Sequence, residues 1–90
     1  MRTVVEFKFE EDIFFAEALI LQFPYPLYKS IYVVTLLDRY LISEFSPQYI
    51  LSVEYNQFKN ITIKTEREAN LIKAIQNAIR NYLSNPYRIK

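Results

Sequence analysis

The 90-residue chain carries 11 Lys+Arg against 10 Asp+Glu, a formal charge of +1, so no single-signed field draws it to nucleic acid or a membrane. Histidine, cysteine, tryptophan and glycine are all absent, which removes the usual zinc ligands, cysteine nucleophiles, histidine bases and glycine loops that cradle phosphate. The expectation is one domain over residues 1–90 with no metal, no cofactor and no catalytic residues. A domain of this size buries only about two thirds of its unfolded surface, which leaves little room for an enclosed active-site cavity.

Without cysteine there is no disulfide framework, and a cytoplasmic protein is expected. Glu6 and Lys8 interrupt the first apolar run, so no signal peptide is read there. Later apolar runs are too short to span a bilayer. Abundant Ile, Tyr, Asn and Lys suggest an AT-rich genome.

Residues 3–10 alternate, with Thr3, Val5, Phe7 and Phe9 on one face and Val4, Glu6, Lys8 and Glu10 on the other. That pattern is a half-buried strand with a charged outer side. Glu10-Glu11-Asp12 then places acidic residues where a helix begins, with Asp12 as the expected cap. Residues 13–23 read as that helix, and only Glu17 and Gln22 in it are strongly polar. A helix apolar nearly all round must be covered on more than one side. Leaving three large side chains exposed would forgo roughly 5–9 kcal/mol, comparable with a whole domain's stability. A second chain is therefore expected over Phe14, Phe15, Ala18, Leu19, Leu21 and Phe23; the alternative cover is the chain's own middle segment.

Pro24-Tyr25-Pro26 makes a stiff connector. Residues 30–36 are β-branched and aromatic enough for a strand, although a helical period also fits residues 28–45. Residues 38–46 are left undecided, and Ser46-Pro47-Gln48 is a break. Residues 49–55 alternate again, Asn56 to Asn60 turn the chain, and residues 60–64 return with Ile61 and Ile63 inward. From Thr65 to Leu83 apolar residues recur at three- and four-residue steps, the mark of a helix with one buried stripe. Thr65 and Glu68 have capping-box spacing, Asn85-Pro86 supplies the stop, and residues 86–90 form a short basic tail. The sum is an α+β fold: a small antiparallel β-sheet of three to four strands with two main helices on one face, in the order β-α-(β)-β-β-α.

The run Leu71-Ile72-Lys73-Ala74-Ile75-Gln76-Asn77-Ala78-Ile79-Arg80-Asn81-Tyr82-Leu83 follows the hairpin segments Ser52-Val53-Glu54-Tyr55 and Ile61-Thr62-Ile63-Lys64-Thr65. With residues 3–9 and Ala16-Glu17-Ala18 as opening strand and helix, the order resembles the Pcc-type small subunits of the KEOPS complex. That complex makes threonylcarbamoyladenosine in tRNA. Ile72 stands where the family commonly has arginine, the hairpin lacks its glycine, and the middle is longer, as suits a divergent paralogue. The resemblance implies a non-catalytic subunit, a homo- or heterodimer with a related small subunit, docked on a larger catalytic subunit. A weak tRNA contact would also fit.

The competing reading from the residues is a small RNA- or DNA-binding protein. Lys73, Asn77 and Arg80 share a helical stripe with Ser84, and Arg88 and Lys90 extend it into the tail; Tyr82 and Tyr87 could stack bases. The plainer account of that stripe is the wet face of an amphipathic helix. A third reading is a viral or host oligomer of unassigned role.

Overall fold

The computed structural model describes residues 1–24, 29–54, 57–59 and 63–84. Strands β1 (Arg2–Phe9), β2 (Asp12–Phe23), β3 (Lys29–Leu36), β4 (Gln48–Glu54) and β5 (Gln57–Lys59) form one antiparallel sheet in which every strand pairs with its neighbour in sequence. Helix α1 (Arg39–Glu44) lies between β3 and β4, and α2 (Glu66–Ser84) follows β5. The protein is thus α+β, with four long strands, a three-residue fifth and two helices, one of them long, among the described residues.

The main departure from the sequence pattern is residues 13–23, expected as a helix and found in the twelve-residue strand β2. Its inward side carries Ala16, Ala18 and Ile20, all buried, while Ile13, Phe15, Glu17, Leu19 and Leu21 face the other way. Both faces are apolar, so the two-residue period is masked, and the alanines imitate helix composition. Sheet pairing decides the matter: β2 is hydrogen-bonded to β1 along eight residues and to β3 along eight more. The alanines also leave room beside the sheet for a helix to approach.

The acidic run expected to open that helix is instead the β1–β2 turn. Phe9 pairs with Asp12, and Glu10 and Glu11 occupy the two-residue loop at φ 51° and 70°. Positive φ at both positions suits this tightest of hairpins, but glycine or asparagine normally supplies it. For a residue with a β-carbon the left-handed conformation costs about 1–2 kcal/mol. Glu11→Gly is therefore expected to stabilise the fold by roughly 0.5–1 kcal/mol, after the extra freedom glycine gives the unfolded chain. A rise in the urea midpoint at constant slope would register it; an unchanged or lowered midpoint would contradict the strain.

The remaining elements need smaller adjustments. Residues 38–46, left undecided by the sequence pattern, contain α1, capped by Asp38, whose Oδ1 accepts the Tyr40 N–H at 2.9 Å and the Leu41 N–H at 3.3 Å. The last hairpin is tighter than expected. Glu54 pairs with Gln57, so residues 57–59 belong to a strand, and Ile63 is exposed rather than inward. The expectations for Tyr25, Pro26, Tyr55, Asn56, Asn60, Ile61, the Asn85-Pro86 stop and the basic tail lie outside the described residues.

One core holds these pieces together. Val5, Phe7 and Phe9 of β1, with Tyr32, Val34, Leu36 and Leu51 from β3 and β4, meet Leu71, Ile72, Ile75 and Ile79 of α2. Leu41 of α1 joins the same cluster, and Phe45 meets Phe9 edge to face at 5.8 Å. Both helices therefore lie on one face of the sheet. At the start of the chain, the Met1 ammonium donates to the Ile20 carbonyl oxygen at 3.0 Å.

Candidate interaction surface

The helix-free face of the sheet is ordered by strand register. Leu21, Ile31 and Ser52 form one row across β2, β3 and β4. Arg2, Leu19, Val33 and Ile50 form the next, and Val4, Glu17, Thr35 and Gln48 the one after. Beyond these, Phe15 lies opposite Glu6 and Ile13 opposite Lys8. Ile13 and Ile50 are 61% and 60% exposed, Val4 54% and Phe15 49%. The polar members of the third row have partners: Glu17 Oε1 lies 3.7 Å from Arg2 Nε of the second row, and Gln48 Nε2 donates to Thr35 Oγ1 at 3.4 Å. At one end Ile13, Phe14, Phe15, Leu37 and Asp38 frame an open hollow of about 140 Å³.

Strands apolar on both faces are the mark of sheets covered on both sides. β2 and β3 have that composition, yet α1 and α2 cover one side only. Singly exposed apolar residues are ordinary, but a contiguous patch of them on a sheet marks a contact surface.

The opposite side of the molecule carries two polar clusters. At the start of α2, the Glu68 N–H donates to Thr65 Oγ1 at 3.1 Å, the expected half of the capping box. The return bond is displaced by one residue, because Glu68 Oε1 accepts from the Lys64 N–H at 2.9 Å. Its second oxygen, Oε2, accepts from the Tyr49 hydroxyl at 2.6 Å. These two donors, the Lys64 amide first, hold the buried Glu68 carboxyl below the usual carboxylate range. Burial, and then the negative partner, push the Tyr49 hydroxyl well above its ordinary value. The adjoining open hollow of about 450 Å³ is lined by Glu44, Phe45, Gln48, Lys64 and this trio. Both Glu68 oxygens are engaged, so Thr65, Glu68 and Tyr49 tie β4 to α2.

Arg67 forms the second cluster. Its Nε and Nη2 donate to the two Glu10 oxygens at 2.7 and 2.8 Å, Nη1 donates to Glu44 at 3.1 Å, and the Tyr40 hydroxyl accepts from Nη2. The guanidinium sits 5.0 Å from the Phe45 ring centre. This bidentate grip lowers the Glu10 carboxyl and clamps the first hairpin to both helices.

No family model, curated protein or solved structure matches the chain. Function is therefore read from the surface itself.

Of the six residues expected at a partner contact, Phe15, Leu19, Leu21 and Phe23 fall on the helix-free side of β2. Ala18 does not: it is fully buried beneath the helices, because alternate residues of a strand point to opposite faces. Phe14 also turns inward, with its ring 5.9 Å from that of Phe7. The surface also includes Ile13, from the same apolar segment, and Ile31, Val33 and Ile50, which helical reasoning missed. The signal was present in 31–36, where both alternate sets, Ile31-Val33-Thr35 and Tyr32-Val34-Leu36, are largely apolar. Lys73, Asn77 and Arg80 are exposed on α2, away from this surface, and Arg88 and Lys90 lie outside the described residues. No helix among the described residues is long and apolar enough to cross a membrane.

Proposed function

We propose that this chain is a non-catalytic interaction subunit whose working surface is the helix-free face of its sheet. The observation that carries the reading is the apolar row structure of β2 and β3, which suits coverage from both sides while the chain's own helices cover one. The cysteine-free composition supports a cytoplasmic setting. Within this class, a place in a KEOPS-like complex supporting threonylcarbamoyladenosine modification of tRNA draws its support from β4 and α2; the return segment Ile61-Thr62-Ile63-Lys64-Thr65 is not β5 and lends none. The segment Ala16-Glu17-Ala18, which matched the family's first helix, is a strand here and lends none.

Tagged chain, recovered from cells together with a differently tagged copy, tests the reading by mass spectrometry. Leu19→Glu is expected to release the bound protein or copy, and Lys73→Glu on the outer side of α2 to retain it. Equal behaviour of the two variants would sink the reading. Recovery of a larger transferase subunit would support the KEOPS-like assignment; its absence would remove that assignment alone.

A further inference from the structure

We infer that the helix-free face receives an amphipathic helix of another protein, laid along β2 and β3. This rests on the interaction reading above and adds the form of the partner.

Apolar character on this face runs along the strands as a lane. Leu21 beside Ile31 and Leu19 beside Val33 make up one half, and Phe15 and Ile13 continue it along β2. The columns on either side are mostly polar. On β1 they are the exposed, charged Arg2, Glu6 and Lys8, and on β4 they are Gln48 and Ser52. Val4 and Ile50, one in each outer column, are the apolar exceptions. The lane is thus two strands across, about 10 Å, the width of a single helix with its side chains. A stacked sheet of four strands, about 19 Å across, would press the charged β1 column into the contact. A bilayer would meet the same charges, Glu6 among them.

Spacing and charge describe the helix further. Leu21 to Ile13 is eight residues of strand, about 27 Å, which equals about 18 residues of helix. Rows on one face lie about 6.7 Å apart. Apolar side chains at about i, i+4, i+14 and i+18 therefore fall against Leu21, Leu19, Phe15 and Ile13. The Glu17 and Thr35 row between them falls at about i+7. Arg2 Nε stands 3.7 Å from Glu17, beyond hydrogen-bonding distance, so the half-exposed carboxylate can still take a lysine or arginine. Along its β1 side the helix would carry acidic residues towards Arg2 and Lys8 and a basic one towards Glu6. A uniformly basic or uniformly acidic helix does not match that order.

The probe is a synthetic alanine-based peptide with leucine at about i, i+4, i+14 and i+18 and lysine at about i+7. Titrated into isotope-labelled chain, it is expected to shift the amides of β2 and β3 with a micromolar Kd, and to gain helicity as it binds. Val33→Glu and the more exposed Phe15→Glu are each expected to weaken binding about tenfold or more, while the circular dichroism of the free chain stays unchanged. Glu17→Lys is expected to lose the lysine peptide and to favour a version with glutamate in its place. Lys73→Glu on the outer side of α2 should change nothing. A peptide that fails to bind, or binds with no response to the lane variants, would overturn the helix. So would a dimer in sedimentation that Val33→Glu dissociates, or capture by phosphatidylglycerol vesicles that Phe15→Glu abolishes. If the peptide fails while Leu19→Glu still releases a protein recovered from cells, the interaction reading stands without its helical form. If nothing is released either, both fall.

Discussion

Ile75→Ala is expected to lower stability by about 2–5 kcal/mol, against roughly 5–13 kcal/mol for a whole chain of this length. Ile75 is completely buried near the middle of α2, in the one core the two helices and the sheet share. Truncation removes its transfer free energy and leaves a cavity that neighbours anchored in strands cannot readily fill. Asn77→Ala, two positions along and exposed, should stay within about 0.5 kcal/mol of the parent. Urea unfolding of the pair separates them, with a large midpoint shift at constant slope for Ile75→Ala only. Similar small shifts for both would mean that α2 does not dock through this stripe.

Tyr49→Phe is the second large effect, at about 1–3 kcal/mol near neutral pH, because it leaves a buried carboxylate oxygen without its donor. It also carries a pH signature. The folded value of Glu68 lies below the ordinary 4.5, so the folded state holds the ionised form in preference. Its stabilising contribution is present above the ordinary value and is lost as pH falls through the depressed folded one. Removing the Tyr49 hydroxyl relaxes the depression, so the variant should lose less on acidification than the parent. Urea midpoints at neutral pH and at about pH 3 measure this, and parallel losses in the two proteins would contradict it.

These two experiments probe opposite degrees of legibility. The helix of Ile75 was fully written in the sequence: one apolar stripe, a threonine cap and a glutamate three residues on. β1 and β4 were legible for a related reason, since one face of each is wet and the alternation shows. β2 was not. Its outward residues are as apolar as its inward ones, its inward residues include helix-favouring alanines, and its turn uses two glutamates where glycine or asparagine would have announced a hairpin. Local pattern cannot reveal a strand whose second face is also apolar, because the period depends on contrast between faces. The candidate surface shows the same split. Excess apolar area was visible in 13–23, whereas its sharing with Val33 and Ile50 follows only from strand register.

The neighbour-to-neighbour order of the strands also bears on how the protein is made. A ribosome releases all five strands before it releases α2, so the emerging chain can zip hairpin onto hairpin while its oily inner side still waits for a cover. The lid arrives last and must reach back to the strand synthesised first. For that interval the nascent sheet has only α1 over its inner side and no helix over the other, the moment at which holding chaperones would matter most to it.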